Sequence, residues 1–238
     1  MSGIVDFHSH ILPGIDDGSA SAEESIAMLR METEQGIDCV VATPHFYAHH
    51  DTPEGFLARR REAEIRLREA MDGLEEMPEI ILGAEVYFFP GISDSDAIPE
   101  LTIGYNRCIL IEMPPSPWSQ NMYSELEEIQ ARWGITPIIA HVDRYLNLLT
   151  TYGIPQRLEE LPVLVQANAG FFQDRFTRPM AMRMLRNGQI HLLGSDCHNL
   201  TSRAPNLDQT IRLIGKKLGQ EAIRWIRSNE DQILPPEA

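Results

Sequence analysis

The chain has 238 residues, a formal net charge of -15 and 43% hydrophobic residues, which is typical of one globular domain with a full core. The acidic charge argues against a nucleic-acid partner, since such a surface needs a basic patch, but bound cations would still permit an anionic substrate. No apolar run reaches the roughly 18 residues of a membrane span, and the first residues lack the pattern of a signal peptide. We therefore expect a single domain over residues 1–238 with no transmembrane segment.

Three cysteines lie far apart in the sequence, at Cys39, Cys108 and Cys197. An odd number of distant cysteines favours reduced thiols over a disulfide framework, which is typical of cytosolic proteins. We therefore predict a cytoplasmic protein. No pattern in the sequence indicates its oligomeric state.

Seven short apolar runs alternate with amphipathic stretches along the chain. Runs rich in Ile, Val and Leu are typical of strands that are buried on both faces. Seven such strands alternating with helices predict an α/β fold with a parallel sheet and right-handed crossovers, most simply a barrel. The runs are GIVDFHSH (3–10), CVVATPH (39–45), IILGAEVYF (80–88), CILIEM (108–113), TPIIAHV (136–142), VLVQANAG (163–170) and IHLLGSD (190–196).

The helical stretches carry start and stop signals. Ser21 is followed three residues later by Glu24, which is the spacing of a capping box, and this stretch ends at Gly36. A second stretch begins with Thr52-Pro53. We predict helices over 21–36, 52–73, 123–134 and 177–188, each ending at a glycine, and a further helix in the C-terminal stretch that begins at residue 220.

Every predicted strand has a polar residue at its C-terminal end. A single histidine there is more often a structural residue, but an ionised Glu112 within an apolar run needs a partner. Because parallel α/β barrels carry their active sites at this end, the repeated pattern predicts one shared site. The residues are His8 and His10, His45, Glu85, Glu112, His141, Asn168 and Asp196, with His198 just beyond the last strand.

The donor atoms of this set favour metal binding. His8 and His10 are two residues apart on a strand, so they share a face. Asp6 could orient a histidine or simply begin the strand, and one of Asp16 and Asp17 could return to the site while the other caps the turn. With one of these two aspartates and without Asn168, the set has nine nitrogen and oxygen ligands, which suit two or three ions of Mn, Fe or Zn that share a bridging carboxylate. Such clusters activate water and bind an anionic oxygen, as phosphoester hydrolysis requires.

Other histidines and the nearby aromatic residues have less specific interpretations. We interpret His49 and His50 as solvated loop residues and His191, at the other end of its strand, as structural. The aromatic residues that follow the site strands could form an aryl pocket or pack in the core. They are Phe46, Tyr47, Tyr87, Phe88 and Trp118.

Six short motifs occur in the order HSH, TPH, GAE, IE, AHVDRY and SDCH. Together they resemble the polymerase-and-histidinol-phosphatase (PHP) superfamily. The fuller strings DFHSHILPGIDDG, TPHFY, GAEVYF, AHVDRY and GSDCHN are similar to one branch, the bacterial metal-dependent protein-tyrosine phosphatases encoded with capsule and exopolysaccharide genes. The resemblance covers nearly the whole chain, and it implies a distorted seven-stranded (β/α)7 TIM-like barrel.

The resemblance also implies three divalent metal ions, usually manganese and sometimes iron, zinc or magnesium. Glu85 would bridge two of them, and Asp17 rather than Asp16 would be a ligand. Arg144 and Arg203 match positions that contact the phosphate, so with Glu85 they are the predicted catalytic residues. The three ligand sets would be His8, His10, Glu85 and Asp196; Glu85, Glu112 and His141; and Asp17, His45 and His198.

The activity implied is hydrolysis of phosphotyrosine on a protein, with the tail of a bacterial tyrosine kinase that controls polysaccharide export as the expected partner. We expect a metal-bridging hydroxide to attack phosphorus directly, without a phosphoenzyme. Two residues depart from the pattern of this branch. Asp143 stands where glutamate is expected and Ala204 where proline is expected. Both bear on substrate preference rather than on the metal chemistry.

Several alternatives stay open at this point. Cys197 and Arg203 have the C-x5-R spacing of cysteine-dependent tyrosine phosphatases, although the loop between them lacks glycine. An amidohydrolase with a carboxylated lysine would need a lysine on a central strand, but Lys216 and Lys217 lie in a late helix. A small-molecule phosphomonoesterase such as histidinol phosphatase, a nuclease-like metal-dependent hydrolase and a binding module without activity are the other candidates.

Overall fold

The computed structural model describes residues 4–104, 107–146 and 153–234 of the chain. It has an α/β architecture in which short parallel strands alternate with helices. The nine strands of the described residues are β1 (Ile4–Ser9), β2 (Ile37–Ala42), β3 (His45–Phe46), β4 (Glu79–Leu82), β5 (Glu85–Tyr87), β6 (Cys108–Glu112), β7 (Thr136–Ile139), β8 (Leu164–Asn168) and β9 (Leu192–Gly194).

The helices begin and end close to where the capping signals predict. The Ser21 hydroxyl accepts a hydrogen bond from the backbone N–H of Glu24, and the Thr52 hydroxyl accepts one from Gly55. The third long helix begins three residues earlier than predicted because Ser119 is its N-cap. The α-helices are α1 (Ala22–Glu34), α2 (Pro53–Met71), α3 (Gln120–Trp133), α4 (Ile154–Leu158), α5 (Ala169–Gln173), α6 (Arg178–Arg186), α7 (Leu207–Leu218) and α8 (Gln220–Ile233), and short 3-10 helices cover Ile92–Asp94, Ile98–Leu101 and Val142–Tyr145.

The strands form two parallel sheets. One has the order β1-β2-β4, and the other has the order β3-β5-β6-β7-β8-β9. The end of β1 also hydrogen-bonds to the segment that follows β9, since Asp196 N–H donates to the carbonyl of His8 at 2.8 Å and His10 N–H donates to the carbonyl of Cys197 at 2.9 Å. These bonds place the first and last strands of the chain side by side and join the two sheets. Together the sheets form a curled half-barrel.

The predicted count of seven strands is not confirmed, because two of the seven apolar runs each form two strands. β2 ends before Pro44, which has no N–H for a neighbouring strand, and β3 begins directly after it. β4 ends before Gly83, where a Cβ would lie 2.7 Å from the side chain of Ile103. The breaks are aligned, since Gly83 N–H donates to Ala42 and Glu85 N–H donates to Pro44.

Apolar side chains form one layer between the strands and the helices and a second cluster on the inner face of the curled sheet. On β6, Ile109 and Ile111 belong to the outer layer, whereas Cys108 and Leu110 belong to the inner cluster. Glu112 follows Leu110 by two residues and therefore shares its inward face. This alternation carries the carboxylate to the inner edge of the sheet. None of the helices in the described ranges has the length and apolarity needed to cross a membrane.

Candidate metal centre

All nine predicted metal-binding residues come together at the C-terminal ends of the strands. A nitrogen or oxygen atom of each side chain lies within 3.5 Å of one that belongs to another member of the set. Their elements are β1 and the residues after it for His8, His10 and Asp17, β3 for His45, β5 for Glu85, β6 for Glu112, the residues after β7 for His141, and the residues after β9 for Asp196 and His198.

Glu85 lies at the centre of this cluster and is only 1% exposed. Its Oε2 lies 3.2 Å from His8 Nε2, 3.3 Å from His10 Nε2 and 3.0 Å from His45 Nδ1, and its Oε1 lies 2.8 Å from His141 Nε2. Burial alone would raise the pKa of this carboxyl, but the surrounding imidazoles, with His8 the largest contributor, hold it well below its usual range. Glu85 is therefore a fully buried carboxylate that faces four imidazoles.

His8 and His10 present their Nε2 atoms to each other at 3.2 Å. Asp196 Oδ1 lies 3.5 Å from the first of these nitrogens and 3.6 Å from the second. Burial opposes the charged form of both rings, yet the nearby carboxylates raise the pKa of His8 and raise that of His10 well above the usual value. Glu85 acts on both. The close nitrogens and the negative charge around them form an environment that a cation would stabilise.

A second group lies nearer to solvent. Asp17 is 67% exposed on its side chain, and its Oδ1 lies 3.5 Å from His45 Nε2 and 3.5 Å from His198 Nε2. His10 completes this group, in which the candidate ligand atoms all lie within 4.8 Å of one another. Burial, together with the charges of His10 and Arg203, lowers the pKa of His198 to about 4. Its imidazole is therefore neutral at physiological pH, as a metal ligand must be.

Asp16 has a different role from Asp17. Its Oδ2 accepts hydrogen bonds from His10 Nδ1 at 2.8 Å and from the backbone N–H of His45 at 3.0 Å. Its Oδ1 accepts a hydrogen bond from Gly18 N–H. Although burial opposes it, the bond from His10 lowers the pKa of Asp16 to about 2. Asp16 thus orients His10 with Nε2 towards the cluster, a role beyond the turn capping expected of the aspartate that is not a ligand.

Unpaired atoms at the centre fit a cation. Among the described residues, His45 Nδ1, Glu85 Oε2 and His198 Nε2 are buried and make no hydrogen bond. Each unsatisfied buried polar group costs about 1–3 kcal/mol, so three of them in one cluster need a partner. The donors are imidazole nitrogens and carboxylate oxygens, which suit Mn, Fe or Zn. The residues present therefore fit one or more divalent ions.

The grouping of candidate ligands partly follows the sets that the resemblance implies. One group consists of His8, His10 and Glu85, and another consists of His45, Glu85 and Glu112. The second contains His45 where the resemblance implies His141. His141 Nε2 nevertheless lies 2.8 Å from Glu85 and 3.5 Å from Glu112. Glu85 belongs to both groups, which is the position of a bridging carboxylate.

Two arginines border the centre. Arg144 donates to Glu112 Oε1 at 3.0 Å and to Asp196 Oδ2 at 2.9 Å, and Arg203 Nη2 lies 2.7 Å from Asp196 Oδ1. Their side chains are 41% and 38% exposed, so both guanidinium groups reach solvent. Burial and the charge of Glu85 raise the pKa of Glu112, whereas His8 and its neighbours hold that of Asp196 well below its usual range. Both arginines therefore pair with carboxylates of the candidate ligand set.

Cys197 is fully buried below the centre and does not have the environment of a nucleophile. Burial and the adjacent carboxyl groups of Glu32 and Asp6 raise the pKa of its thiol well above the usual value. A catalytic cysteine needs the opposite shift. The carboxylate of Asp6 accepts hydrogen bonds from the backbone N–H groups of His8 and Ser195 rather than from a histidine ring. It ties β1 to the segment that carries Asp196.

The other histidines, Asp143 and the aromatic residues that the sequence singled out lie outside the ligand cluster or at its border. His49 and His50 are exposed, as predicted, and His191 Nδ1 accepts a hydrogen bond from Val165 N–H far from the centre. The Asp143 carboxylate accepts a hydrogen bond from Asn168 N–H, so it supports the end of β8. Of the five aromatic residues, Phe46, Phe88 and Trp118 are core residues, and Tyr47 and Tyr87 are the two that remain partly exposed.

Comparisons with known proteins point to one family. The family model for capsular polysaccharide synthesis, CpsB/CapC, matches residues 4–235. Tyrosine-protein phosphatase CpsB of Streptococcus pneumoniae is 32% identical over 231 residues, covering 91% of each chain. Tyrosine-protein phosphatase YwqE of Bacillus subtilis is 26% identical over 236 residues, covering 97% of this chain and 91% of its own.

A solved structure has the same fold. It comes from a study of YwqE from Bacillus subtilis and CpsB from Streptococcus pneumoniae, described as unique metal-dependent tyrosine phosphatases. It superposes with a TM-score of 0.84 at 24% identity and covers 99% of this chain and 96% of its own. The family match over nearly the whole length and the relative at 32% identity lead to one conclusion. This chain belongs to the CpsB/CapC family of capsular polysaccharide synthesis.

Proposed function

We propose that this protein is a metal-dependent protein-tyrosine phosphatase, a phosphoric monoester hydrolase of capsule or exopolysaccharide regulation. The observation that carries the proposal is Glu85, a buried carboxylate facing four imidazoles below two solvent-accessible guanidinium groups. Such a centre combines cation ligands with anion-binding groups, as phosphate ester hydrolysis requires. Its curated relatives are named tyrosine-protein phosphatases.

Three divalent ions would occupy the centre in this proposal, with manganese the expected metal and iron, zinc or magnesium the alternatives. The donor set of imidazole and carboxylate supports this choice. Divalent ions bound there would lower the pKa of bound water and neutralise charge on the phosphoryl oxygens. Their ligands would be His8, His10, Glu85 and Asp196 for one, Glu85, Glu112 and His141 for the second, and Asp17, His45 and His198 for the third.

The side chains around the centre have distinct roles in the proposed reaction. Arg144 and Arg203 bind the equatorial oxygens of the phosphate and stabilise the charge that develops in the transition state. Glu85 holds the surrounding imidazoles in position. Hydrolysis proceeds without a phosphoenzyme, because the nearby candidate nucleophile, Cys197, is buried and its pKa is raised. Phenolate has a pKa near 10 and leaves readily, so a strong general acid is not essential.

A shallow cavity beside the centre suits the aryl ring of the substrate. It has a volume of about 460 Å³ and is lined by Ile15, Asp17, His45 and Tyr47, among others. The Tyr47 ring stacks on His45 with centroids 5.1 Å apart and lies 5.7 Å from the ring of Tyr87. Aromatic pairs of this kind add favourable contact energy for another ring. Of the five aromatic residues that could form an aryl pocket, we propose Tyr47, which lines the cavity, and its neighbour Tyr87 for that role.

The expected partner is a phosphotyrosine protein, with the tail of a bacterial tyrosine kinase as our specific proposal. This step rests on the resemblance and on the capsule-synthesis family. We also propose that the seven strand segments work as one distorted (β/α)7 barrel within a single domain, which the hydrogen bonds between β1 and the residues after β9 support. The three buried free cysteines are in keeping with a reducing compartment, and the cytoplasm stays our prediction.

The decisive experiment measures phosphate release from an aryl phosphate before chelation, after chelation, and after addition of single metals. We expect activity to disappear with the chelator and to return with manganese. A parallel series compares a phosphotyrosyl peptide, the matching phosphoseryl peptide and histidinol phosphate. A preference for the phosphotyrosyl peptide supports the proposal. Preference for histidinol phosphate would make the protein a small-molecule phosphomonoesterase, and activity that survives chelation would contradict a metal-dependent mechanism.

A further inference from the structure

Two amide side chains on β8 connect opposite sides of the candidate metal centre. Gln166 Oε1 accepts a hydrogen bond from His141 N–H at 2.6 Å. Gln166 Nε2 donates to Asn168 Oδ1 at 3.0 Å, and Asn168 Nδ2 donates to Asp196 Oδ2 at 2.9 Å. The side chains thus form a continuous chain of hydrogen bonds from the residue after β7 to the residues after β9. None of these bonds was anticipated from the sequence.

The direction of every bond in this chain is fixed by its first member. A backbone N–H can only donate, so the atom of Gln166 that faces His141 must be the oxygen. The other atom is then the amide nitrogen, which must donate to the oxygen of Asn168. The remaining amide nitrogen of Asn168 then faces Asp196, a carboxylate that can only accept. One arrangement of the two amides satisfies all three contacts.

The same glutamine oxygen also faces a proposed ligand. His8 Nδ1 lies 3.4 Å from Gln166 Oε1. Because that oxygen can only accept, it favours the neutral tautomer of His8 that has its proton on Nδ1 and leaves Nε2 unprotonated. His8 Nε2 is the atom that lies near Glu85, at 3.2 Å. Gln166 therefore selects the tautomer in which His8 can bind a cation.

The two ends of the chain are strained backbone positions. Among the described residues, the non-glycine residues with positive φ are Glu76, His141 and Asp196, with φ of 58°, 32° and 55°. Left-handed conformations are unfavourable for residues with a Cβ, and the surrounding structure must hold them in place. Gln166 binds the backbone of His141, and Asn168 binds the carboxylate of Asp196. The amides therefore contact two of these three strained residues.

Close packing leaves little freedom to the glutamine. Gln166 is fully buried and pairs with Leu192 of β9, two residues before Gly194. A Cβ on Gly194 would lie 2.5 Å from His8 Cβ and 2.6 Å from Gln166 Nε2. Glycine at this position lets β9 approach both side chains. Packing against Gly194 thus restricts the position of the amide, and the hydrogen bond from His141 N–H fixes its orientation.

We propose that Gln166 and Asn168 are positioning residues that fix His8, His141 and Asp196 in the geometry needed to hold divalent ions. The inference rests on the proposed metal-dependent function, although part of its test does not require a bound metal. Outer partners of metal ligands commonly contribute about 10- to 100-fold to metal affinity. We expect a contribution of that size from Gln166 and a smaller one from Asn168, which contacts a single ligand.

Metal affinity provides the first test. Gln166→Met keeps the approximate volume and removes both hydrogen-bonding groups, and Gln173→Met is a matched control, because the Gln173 amide donates to Asn206 and Thr210 away from the centre. Titration calorimetry with manganese should give about a 10- to 100-fold weaker Kd for the first variant and no change for the second. Equal affinities in Gln166→Met and the wild type, with thermal unfolding unchanged, would overturn the proposal.

The tautomer of His8 provides a second test in the metal-free protein. Long-range 15N–1H spectra at alkaline pH, where the imidazole is neutral, should show the proton on Nδ1 in the wild type and a mixture of tautomers in Gln166→Met. Gln166→Glu should restore the Nδ1 proton, because a carboxylate also accepts a hydrogen bond from His8. The same carboxylate cannot donate to Asn168, so this variant separates the two contacts. A wild-type ring protonated on Nε2 would contradict the relay. A wild type that binds no metal but shows the predicted tautomers would contradict the proposed function alone.

Discussion

Glu85 and Glu230 are buried glutamates at opposite ends of the curled sheet, and they are held in opposite charge states. Glu85 lies at the C-terminal ends of the strands, where histidines keep its pKa well below the usual range. Glu230 lies on α8 near the start of β1, and burial raises its pKa to about 8. Its exposure is 3%, against 1% for Glu85. Burial is therefore not what distinguishes the two sites.

The difference comes from the groups that face each carboxyl. Glu85 faces four imidazoles, whereas the hydrogen bond described for Glu230 is a single long one, 3.3 Å from Val5 N–H to Oε1. The charges of Arg227 and Asp231 act on it in opposite directions and are smaller effects than burial. Desolvation of a carboxylate is costly unless partners compensate for it. Glu85 is therefore a compensated carboxylate among the candidate metal ligands, whereas Glu230 is a buried carboxyl with little compensation.

Replacement of the central carboxylate should have the largest effect. Glu85→Gln removes the negative charge that the surrounding imidazoles share, so we expect metal binding to weaken by more than the roughly 10- to 100-fold typical of an outer partner. Phosphatase activity should fall at least as much. Metal content measured by mass spectrometry after purification, with aryl-phosphate hydrolysis, tests this. Glu230→Gln is the matched control, and full metal content in Glu85→Gln would contradict the assigned role.

Removal of an arginine should affect catalysis more than metal binding. Arg144→Ala deletes a guanidinium that is placed to stabilise phosphate charge, and loss of one such group commonly costs about 100-fold in rate. The value of kcat/KM for an aryl phosphate should fall accordingly, while metal content stays near that of the wild type.

Arg68→Ala is the control for this comparison, because Arg68 pairs with Glu64 in an exposed i,i+4 ion pair on α2. Such pairs contribute little, so activity should stay the same. Arg144→Lys should give an intermediate rate, since lysine keeps the charge and loses the planar fork. A loss of metal in Arg144→Ala equal to the loss of activity would assign Arg144 to metal retention instead.

The pH dependence of folding stability tests the raised pKa of Glu230. A carboxyl whose pKa is raised in the folded state binds its proton more tightly there than in the unfolded chain. It therefore favours folding fully below its ordinary value of 4.5, and this contribution is lost as the pH rises to about 8. Glu230→Gln keeps a neutral group at every pH, so it should lose less stability over this range than the wild type.

Urea unfolding of the metal-free proteins measures this difference. The variant should gain about 2–4 kcal/mol relative to the wild type between about pH 5 and about pH 8.5. The other titrating groups are common to both proteins, so their contributions cancel in the difference. An unchanged difference across the pH range would mean that Glu230 is ionised in the folded protein despite its burial.

The position of the site was predictable from local patterns, and much of the fold was too. Ser21 and Thr52 cap their helices as expected, because capping depends on residues within one helical turn. The period of two placed Glu112 on the inward face of β6. The number of strands was less accessible, since the breaks at Pro44 and Gly83 depend on how two sheets meet.

The supporting contacts of the site could not be predicted from one sequence. Asp16 and Asp17 are adjacent and chemically identical, and only the folded chain shows that Asp16 bonds to His10 while Asp17 faces His45. Gln166 bonds to a residue 25 positions away, just after the end of the neighbouring strand β7. Its signal in the sequence was a polar residue inside an apolar strand, the same feature that identified Glu112 as a residue in need of a partner.

The smallest effect is expected from chemical modification of Cys197. This thiol is fully buried next to Glu32 and Asp6, so burial and negative charge raise its pKa, as burial does for Glu230. An alkylating reagent acts on the thiolate, and the thiolate population at neutral pH is very small. We expect iodoacetamide to leave Cys197 unmodified and activity unchanged in the folded protein, as judged by peptide mass spectrometry and aryl-phosphate hydrolysis.

Denatured protein is the control and should be alkylated at all three cysteines. Inactivation in proportion to the modification of Cys197 would mean that the thiol is accessible and reactive, and the cysteine mechanism would then replace the metal-dependent one.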